Sequence, residues 1–76
     1  MTDDAIRLAI LDLALRRGAA KTFCPSEVAR GLASDWRPLM ADVRRVAEGM
    51  AEIRATRQGA EVTATAPGGP IRLSLR

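Results

Sequence analysis

Arginines recur through the second half of this sequence, and together they could bind an anionic polymer. Residues 37–76 contain seven arginines and four acidic residues, whereas residues 1–36 contain equal numbers of basic and acidic residues. The whole net charge of +3 at pH 7 therefore falls in the second half. A guanidinium group donates paired hydrogen bonds to a phosphate or to the edge of guanine, so this excess favours nucleic acid as a partner. An excess this small is also typical of an ordinary soluble protein.

Two residue types that often act as general acids or bases in enzymes are missing. The chain has no histidine and no tyrosine, which excludes two common general acids and bases and every serine–histidine pair. Gly68 and Gly69 precede Pro70 rather than a lysine and a helix, so they do not form a phosphate-binding loop. We therefore predict that the protein is not an enzyme and has no catalytic residues, no metal site and no cofactor.

Cys24 is the only cysteine, so the chain forms no internal disulfide and no cysteine-based metal site. It precedes a predicted helix, and a helix N-terminus with Lys21 or Arg30 nearby would favour a reactive thiolate. The alternative, which we expect, is a small buried side chain that fills space at the start of the helix.

The composition also bounds size and compartment. Asp3 and Asp4 lie where a signal peptide would carry positive charge, and the apolar run at residues 8–11 is far too short to cross a membrane. We predict a cytoplasmic protein without a membrane anchor. Residues 1–76 suffice for a single domain, which buries only about 60% of its unfolded surface and is marginally stable or stabilised by a partner.

Three helices are predicted from their caps and apolar spacing. Helix 1 spans residues 3–17, between a cap at Thr2 or Asp3 and a terminating Gly18. Helix 2 spans residues 25–32 and begins at Pro25, which suits the first helical position. Helix 3 spans residues 36–50, with Pro38 in its first turn and apolar residues along one face.

Helix 1 has apolar residues on two sides. Ile6, Ile10 and Leu13 lie on one side. A second stripe lies roughly opposite and consists of Leu8, Leu11 and Leu15. We expect helix 1 to be the central helix, with both stripes covered by the rest of the chain. The alternative is that the second stripe is the contact surface of a homodimer.

Beyond helix 3 the apolar period changes from that of a helix to that of a strand. Strands are predicted at residues 53–57, 61–65 and 71–75, with a turn at Gln58 and Gly59 and a loop at residues 66–70. A further short strand is predicted at residues 21–23, with Phe23 turned inward. Two helices joined by a short turn and followed by a hairpin are the layout of a winged helix-turn-helix domain. We therefore predict an α+β fold of three helices and a small antiparallel β-hairpin wing.

In this layout helix 3 enters the major groove of DNA. The candidate nucleic-acid-binding residues lie on its polar face and on the hairpin: Arg37, Ala41, Arg44, Arg45, Arg54, Arg57 and Arg72. Asp42 and Glu48 flank this face and would repel phosphate, and helical spacing predicts that they pair with Arg45 and Arg44 respectively. Helix 3 has no Asn or Gln, so sequence specificity would come from arginine and from DNA shape.

Three stretches of the chain are characteristic: residues 21–30 (KTFCPSEVAR), 36–40 (WRPLM) and 69–73 (GPIRL). Together they resemble a family of small uncharacterised bacterial proteins, a domain of unknown function with a winged-helix-like fold. The resemblance covers nearly the whole chain and implies that fold, but it carries no activity and no functional residues. Family members often have an Asp-Pro step before the last stretch, where this chain has TATAPG at residues 63–68.

Two functions remain open. The first is binding of double-stranded DNA, with a regulatory role. The second is a protein-interaction or dimerisation module that uses the same scaffold without DNA. The surface that the folded chain leaves free distinguishes them: a basic face on helix 3 and the hairpin favours DNA, whereas an uncovered stripe of Leu8, Leu11 and Leu15 favours a homodimer.

Overall fold

A computed structural model describes the whole chain, residues 1–76. Three α-helices precede a three-stranded antiparallel sheet: α1 Asp3–Arg17, α2 Pro25–Leu32, α3 Met40–Glu48, β1 Ile53–Arg57, β2 Ala60–Val62 and β3 Arg72–Leu75. The strands lie in the order β2-β1-β3. The protein therefore has the predicted α+β fold, with the layout of a winged helix.

Local signals at both ends define α1. The Thr2 Oγ1 accepts a hydrogen bond from the Ala5 N–H at 3.1 Å, which caps the start of the helix. Gly18 ends the helix with a φ of 81°, a conformation that glycine adopts without strain. Its N–H donates to the Ala14 carbonyl oxygen at 2.9 Å. These contacts explain why the observed helix has the predicted ends.

The core forms on one side of α1. Ile6, Ile10 and Ala14 are buried there, and α2, α3 and β3 all pack against this helix. Phe23 is completely buried and exchanges two backbone hydrogen bonds with Leu73, of 2.8 and 2.7 Å. Residues 21–23 thus contribute one isolated β-bridge rather than the predicted short strand.

The opposite side of α1 is not covered. Leu8 is 55% exposed and Leu15 is 61% exposed, while Leu11 is partly buried. The prediction that both apolar stripes are covered within one chain is therefore wrong. A chain of 76 residues provides only two more helices and one small sheet, and these elements surround the Ile6 side.

The third helix is shorter than predicted. Residues Arg37–Leu39 form a 3₁₀ turn, and the α-helix runs over Met40–Glu48 instead of residues 36–50. Pro38 lacks an amide hydrogen, so it fits a tight first turn but donates nothing to it. Val43 and Ala47 form the buried face of the helix.

The β1–β2 hairpin turns at Gln58 and Gly59, whose φ angles of 51° and 84° both lie in the left-handed region that a two-residue turn requires. The predicted second strand, residues 61–65, is also shorter than expected, because β2 ends at Val62. The Ala64 N–H donates instead to the Glu48 carboxylate of α3 at 2.6 Å. Residues 63–71, which we call the wing, therefore leave the sheet after β2 and cross to α3 before β3 begins at Arg72.

Two substitutions test the one-sided burial of α1. We expect Ile10→Ala to lower the free energy of unfolding by about 2–5 kcal/mol, because it leaves a cavity in the core. Leu8→Ala is the matched control on the exposed side and is expected to change that free energy by no more than about 0.5 kcal/mol. Urea denaturation followed by circular dichroism at low micromolar protein measures both. Equal losses in the two variants would contradict this arrangement.

Candidate nucleic-acid interface

The candidate surface comprises the solvent side of α3, the 3₁₀ turn before it, and the wing with its flanking strands. A helix turns about 100° per residue, so Ala41 and Arg45 are exposed on the side opposite the core. Arg37 is exposed in the 3₁₀ turn. Arg44 is half-buried at the edge of the core. The structure thus leaves three of the four candidate residues of helix 3 at the surface.

Arg44 fastens the wing to α3 instead of facing solvent. Its Nε donates to the Ala64 carbonyl oxygen at 2.8 Å, and its Nη2 donates to the Ala66 carbonyl oxygen. Glu48, one turn further along α3, accepts the Ala64 N–H. The predicted ion pair between Arg44 and Glu48 is therefore wrong, because the wing passes beside α3 and its backbone binds both side chains.

Arg45 is exposed but bound by two carboxylates. Its Nη1 and Nη2 each donate to Asp3 at 2.8 Å, and its Nη2 also donates to Asp42 at 3.3 Å. The predicted pair with Asp42 is confirmed. The bond to Asp3 of α1 could not be predicted from helical spacing, because Asp3 lies 42 residues away in sequence. Hydrogen bonding between Arg45 and Asp3 lowers the pKa of Asp3 and raises the pKa of Arg45. Two acids around one arginine reduce the attraction of this site for phosphate.

Arg57 holds the wing from the side of the sheet. Its Nη2 donates to the carbonyl oxygens of Ala66 at 3.2 Å and Gly69 at 3.0 Å. Arg44 and Arg57 therefore bind the same Ala66 oxygen, one from α3 and the other from β1. Carbonyl oxygens carry no net charge, so both guanidinium groups keep their positive charge beside the wing.

Arg54 has a carboxylate partner on the neighbouring strand. Its Nε lies 3.4 Å from Glu61, which also accepts a hydrogen bond from Arg76 at 3.1 Å. The hydrogen bond from Arg76 lowers the pKa of Glu61. Of the three candidate residues on the strands, Arg54 is thus the one that forms an ion pair.

Arg72 lies beside Cys24 at the start of α2. Its Nη1 donates to the Cys24 Sγ at 2.8 Å, and its Nε donates to the Thr22 Oγ1 at 3.0 Å. Cys24 is half-buried, whereas a buried side chain was expected. Glu27 accepts a hydrogen bond from the Cys24 N–H at 2.8 Å. The pKa of Glu27 is lowered mainly by its hydrogen bond with Arg17 and to a smaller extent by this bond. Arg72 itself has no carboxylate partner.

Sequence reasoning missed Arg30 and Trp36. The Cζ of Arg30 lies over the Trp36 ring, 4.5 Å from its centroid, and the Cζ of Arg37 lies 4.7 Å from the same centroid. Trp36 is the only tryptophan and directly precedes Arg37 in sequence, and these neighbours could have indicated a cation–π contact. Arg30 comes from the preceding helix, and sequence spacing across the turn does not show that it reaches the same ring.

Six basic residues have no carboxylate partner, and none of them lies on α1. They are Lys21, Arg30, Arg37, Arg44, Arg57 and Arg72. On α1 each arginine has a carboxylate partner: Arg7 with Asp4, Arg16 with Asp12, and Arg17 with Glu27. We call the part of the molecule that carries these six residues the cationic surface; it includes α2, α3 and the strands beside the wing.

Other kinds of site have little support in the structure. No cluster of three or more acidic or cysteine side chains is placed to hold a metal ion. No helix is both long and apolar enough to cross a bilayer. The largest groove, about 530 Å³, lies between the end of α3 and the β1–β2 hairpin and is lined mainly by small apolar residues. Its charged residues, Glu48, Glu61 and Arg76, already form hydrogen bonds within the chain.

Comparison with known proteins identifies a family but no activity. A family model described as a protein of unknown function (DUF3253) matches residues 3–76. The match covers all three helices and all three strands. No curated protein matches the chain.

Adjacent arginines of α3 provide a test of how the wing is held. We expect Arg44→Ala to lower the free energy of unfolding by about 1.5–3 kcal/mol, because it removes hydrogen bonds from a charged group to wing carbonyls. Arg45→Ala is the control and is expected to cost clearly less, because exposed ion pairs contribute little to stability. Denaturant unfolding measures both changes, and hydrogen exchange at the Ala64 amide reports on the wing. Unchanged exchange in Arg44→Ala would contradict the proposed tether.

Proposed function

We propose that this chain, which belongs to the DUF3253 family of proteins of unknown function, binds double-stranded DNA through its cationic surface. One observation carries the proposal: every basic residue without a carboxylate partner lies outside α1. The elements that carry these residues form the helix pair and the wing, which contact DNA in proteins of this layout. The function rests on this charge distribution together with analogy of fold.

In this proposal the start of α3 enters the major groove. Arg37 is exposed there without a carboxylate partner, and the small side chain of Ala41 lets the helix approach the base edges. Arg44 and Arg57 contribute charge while they hold the wing in position. Arg72 contacts the flanking phosphate backbone, and long-range attraction to the phosphates reinforces these contacts.

Arg45 and Arg54 contribute less in this proposal, because Asp3, Asp42 and Glu61 offset their charges. Exposed ion pairs of this kind contribute little energy, so Arg45 and Arg54 can leave their carboxylate partners for a phosphate.

The proposed interface has few side chains that could read base edges, so contacts to phosphates outweigh contacts to bases. We expect binding with little sequence preference and a dissociation constant in the range of about 10⁻⁴–10⁻⁶ M, as for non-specific binding in general.

The salt dependence of binding is the first prediction of the DNA-binding proposal. About five neutralised phosphates give a slope of log affinity against log salt of about −4 to −5, so affinity is expected to fall about 10²–10³-fold between 50 and 200 mM salt. Fluorescence polarisation with a labelled duplex of random sequence measures this dependence. No binding at the lower salt concentration would refute the proposal.

An exposed arginine before α3 and another on α1 provide the test and the control for that measurement. Arg37→Gln is expected to reduce the magnitude of the slope by about 1, because it removes an exposed arginine that has no carboxylate partner. Arg16→Gln removes an exposed, ion-paired arginine from α1 and is expected to leave the slope unchanged. Arg44 is unsuitable for this purpose, because its loss also releases the wing.

Pairing with a second copy is a second proposed function, which the uncovered stripe on α1 favours. Leu8 and Leu15 are exposed by more than half, and with Leu11 they repeat at i, i+3 and i+7, the spacing of a seam between two helices. The arginines of α1 are paired with carboxylates, so two copies of this face do not repel each other strongly. This stripe faces away from the elements that form the cationic surface, so dimerisation leaves that surface free.

Sedimentation velocity between about 10 µM and 1 mM protein tests this pairing. We expect dimers with a dissociation constant on the order of 100 µM, because the apolar face is small and association is costly. Leu8→Gln combined with Leu15→Gln is expected to be monomeric throughout. Its circular dichroism spectrum is expected to stay unchanged, because both residues are exposed.

Asp12→Asn combined with Arg16→Gln is the control for the dimer, because it alters two exposed residues of the same helix outside the leucine stripe and leaves the net charge unchanged. This variant is expected to dimerise like the unmodified chain. A chain that stays monomeric at millimolar concentration would contradict the proposal. Equal weakening by the control and by the leucine variant would show that the stripe is not the contact.

A further inference from the structure

Two arginines stack on one tryptophan at the turn between α2 and α3. The Cζ atoms of Arg30 and Arg37 lie 4.5 and 4.7 Å from the centroid of the Trp36 ring. The two cations therefore lie within about 9 Å of each other. Both arginines are exposed, while Trp36 is half-buried and is fixed against the core. We call these three residues the arginine–tryptophan cluster.

Neither positive charge of this cluster has an ion-pair partner within the chain. Neither arginine forms an ion pair or a hydrogen bond with any other side chain or with the backbone. Asp35 adjoins Trp36 in sequence, but its carboxylate pairs with neither arginine. Two like charges within this distance repel each other, and a bound anion that both arginines contact would relieve that repulsion.

The stability of the helices explains only one of the two arginines. Arg30 lies in the last turn of α2, where a cation interacts favourably with the helix dipole. Arg37 lies in the first turn of the α3 segment, where a cation interacts unfavourably with the dipole. A cation–π contact at an exposed site contributes about 0.5–1 kcal/mol and favours each arginine equally. The placement of Arg37 is therefore costly for the helix alone and favourable when an anion is bound.

Stacking also prepares the two guanidinium groups for an anion. A guanidinium that lies on an aromatic ring keeps its N–H donors in its own plane, where they are free to bind a phosphate in pairs. Fewer side-chain rotations are lost on binding than for an unconstrained arginine, because the ring already restricts each group. The turn between the two helices is also where a helix-turn-helix approaches the DNA backbone.

We propose that the arginine–tryptophan cluster binds a phosphate group of the nucleic-acid backbone. The inference rests on the proposed DNA-binding function and adds two contacts to it, Arg30 and Trp36. Arg30 and Arg37 each donate to phosphate oxygens, and Trp36 holds both guanidinium groups in place. Phosphate contacts of this kind fix the register of a protein on a duplex without reading its sequence.

Intrinsic fluorescence tests the cluster directly, because Trp36 is the only tryptophan and the chain has no tyrosine. A labelled duplex and inorganic tripolyphosphate are titrated separately, and both are expected to change the Trp36 emission in a saturable way. Arg30→Gln combined with Arg37→Gln is expected to remove the response to tripolyphosphate. An unchanged response in that variant, or no response in the unmodified protein, would overturn the proposal.

Duplex affinity provides the second readout. Arg30→Gln combined with Arg37→Gln is expected to weaken duplex binding about tenfold and to reduce the magnitude of the salt slope by about 2. Arg7→Gln combined with Arg16→Gln removes the same charge from α1 and is the control, with binding expected to be unchanged. Lysine at positions 30 and 37 is expected to keep the slope but to lose severalfold in affinity, because an ammonium group does not donate in a fixed pair. Circular dichroism checks that each variant is folded.

The outcomes separate this inference from the function on which it rests. Steep, salt-dependent duplex binding that is as strong in the Arg30/Arg37 variant as in the control would overturn the cluster and leave DNA binding intact. No duplex binding, with a Trp36 response to tripolyphosphate that requires both arginines, would refute DNA binding. That result would show that the cluster binds the phosphate group of a small free molecule. It would thus overturn the assignment of the cluster to a nucleic-acid backbone.

Discussion

Burial of one face of α1 is the constraint on which the rest of the structure depends. Ile6, Ile10 and Ala14 form the surface against which α2, α3 and β3 pack, and Phe23 joins this core to the sheet through its bridge to Leu73. A chain of this length builds one core and has no element left to cover the opposite face of α1. The exposed leucines are thus a consequence of size. For the same reason the other helices and the sheet pack on the buried side of α1, and the unpaired cations lie on those elements or on the segments between them.

The wing depends on arginines that bind backbone rather than acids. Arg44 and Arg57 donate to the Ala66 carbonyl oxygen from two different elements, and Glu48 accepts the Ala64 amide. A guanidinium that binds a carbonyl satisfies its hydrogen bonds without losing its charge, whereas one that binds a carboxylate loses much of its external field. The wing is therefore held in place by two positive charges that lie beside it. Because Arg44 both holds the wing and contributes positive charge, a substitution of Arg44 changes the position of the wing and the electrostatic potential together.

Local signals allowed much of the fold to be predicted, and long-range contacts account for what was missed. The Thr2 cap, the positive φ of Gly18 and the turn at Gln58 and Gly59 are set by neighbouring residues, so α1, α2 and the hairpin were predictable. The early end of β2 depends on a bond between Glu48 and Ala64, sixteen residues apart. The hydrogen-bond partners Ala64 of Arg44 and Asp3 of Arg45 lie twenty or more residues away in sequence. Helical spacing therefore could not show whether these arginines are free to bind a ligand. Stacking of Arg30 on Trp36 crosses a turn and was missed for the same reason.

The two proposed surfaces are physically compatible, and one contact links them. A dimer that pairs α1 with α1 turns both cationic surfaces outward, and joining two weak sites in this way can raise overall affinity by about 10²–10⁴-fold when both reach the same duplex. Asp3 of α1 holds Arg45 of α3 by two hydrogen bonds of 2.8 Å, so the start of α1 controls one of the cations that faces solvent on α3. A partner that displaced Asp3 from Arg45 would return a positive charge to the α3 face. A partner bound at the N-terminal end of α1 would thereby strengthen the attraction of α3 for phosphate in the proposed complex.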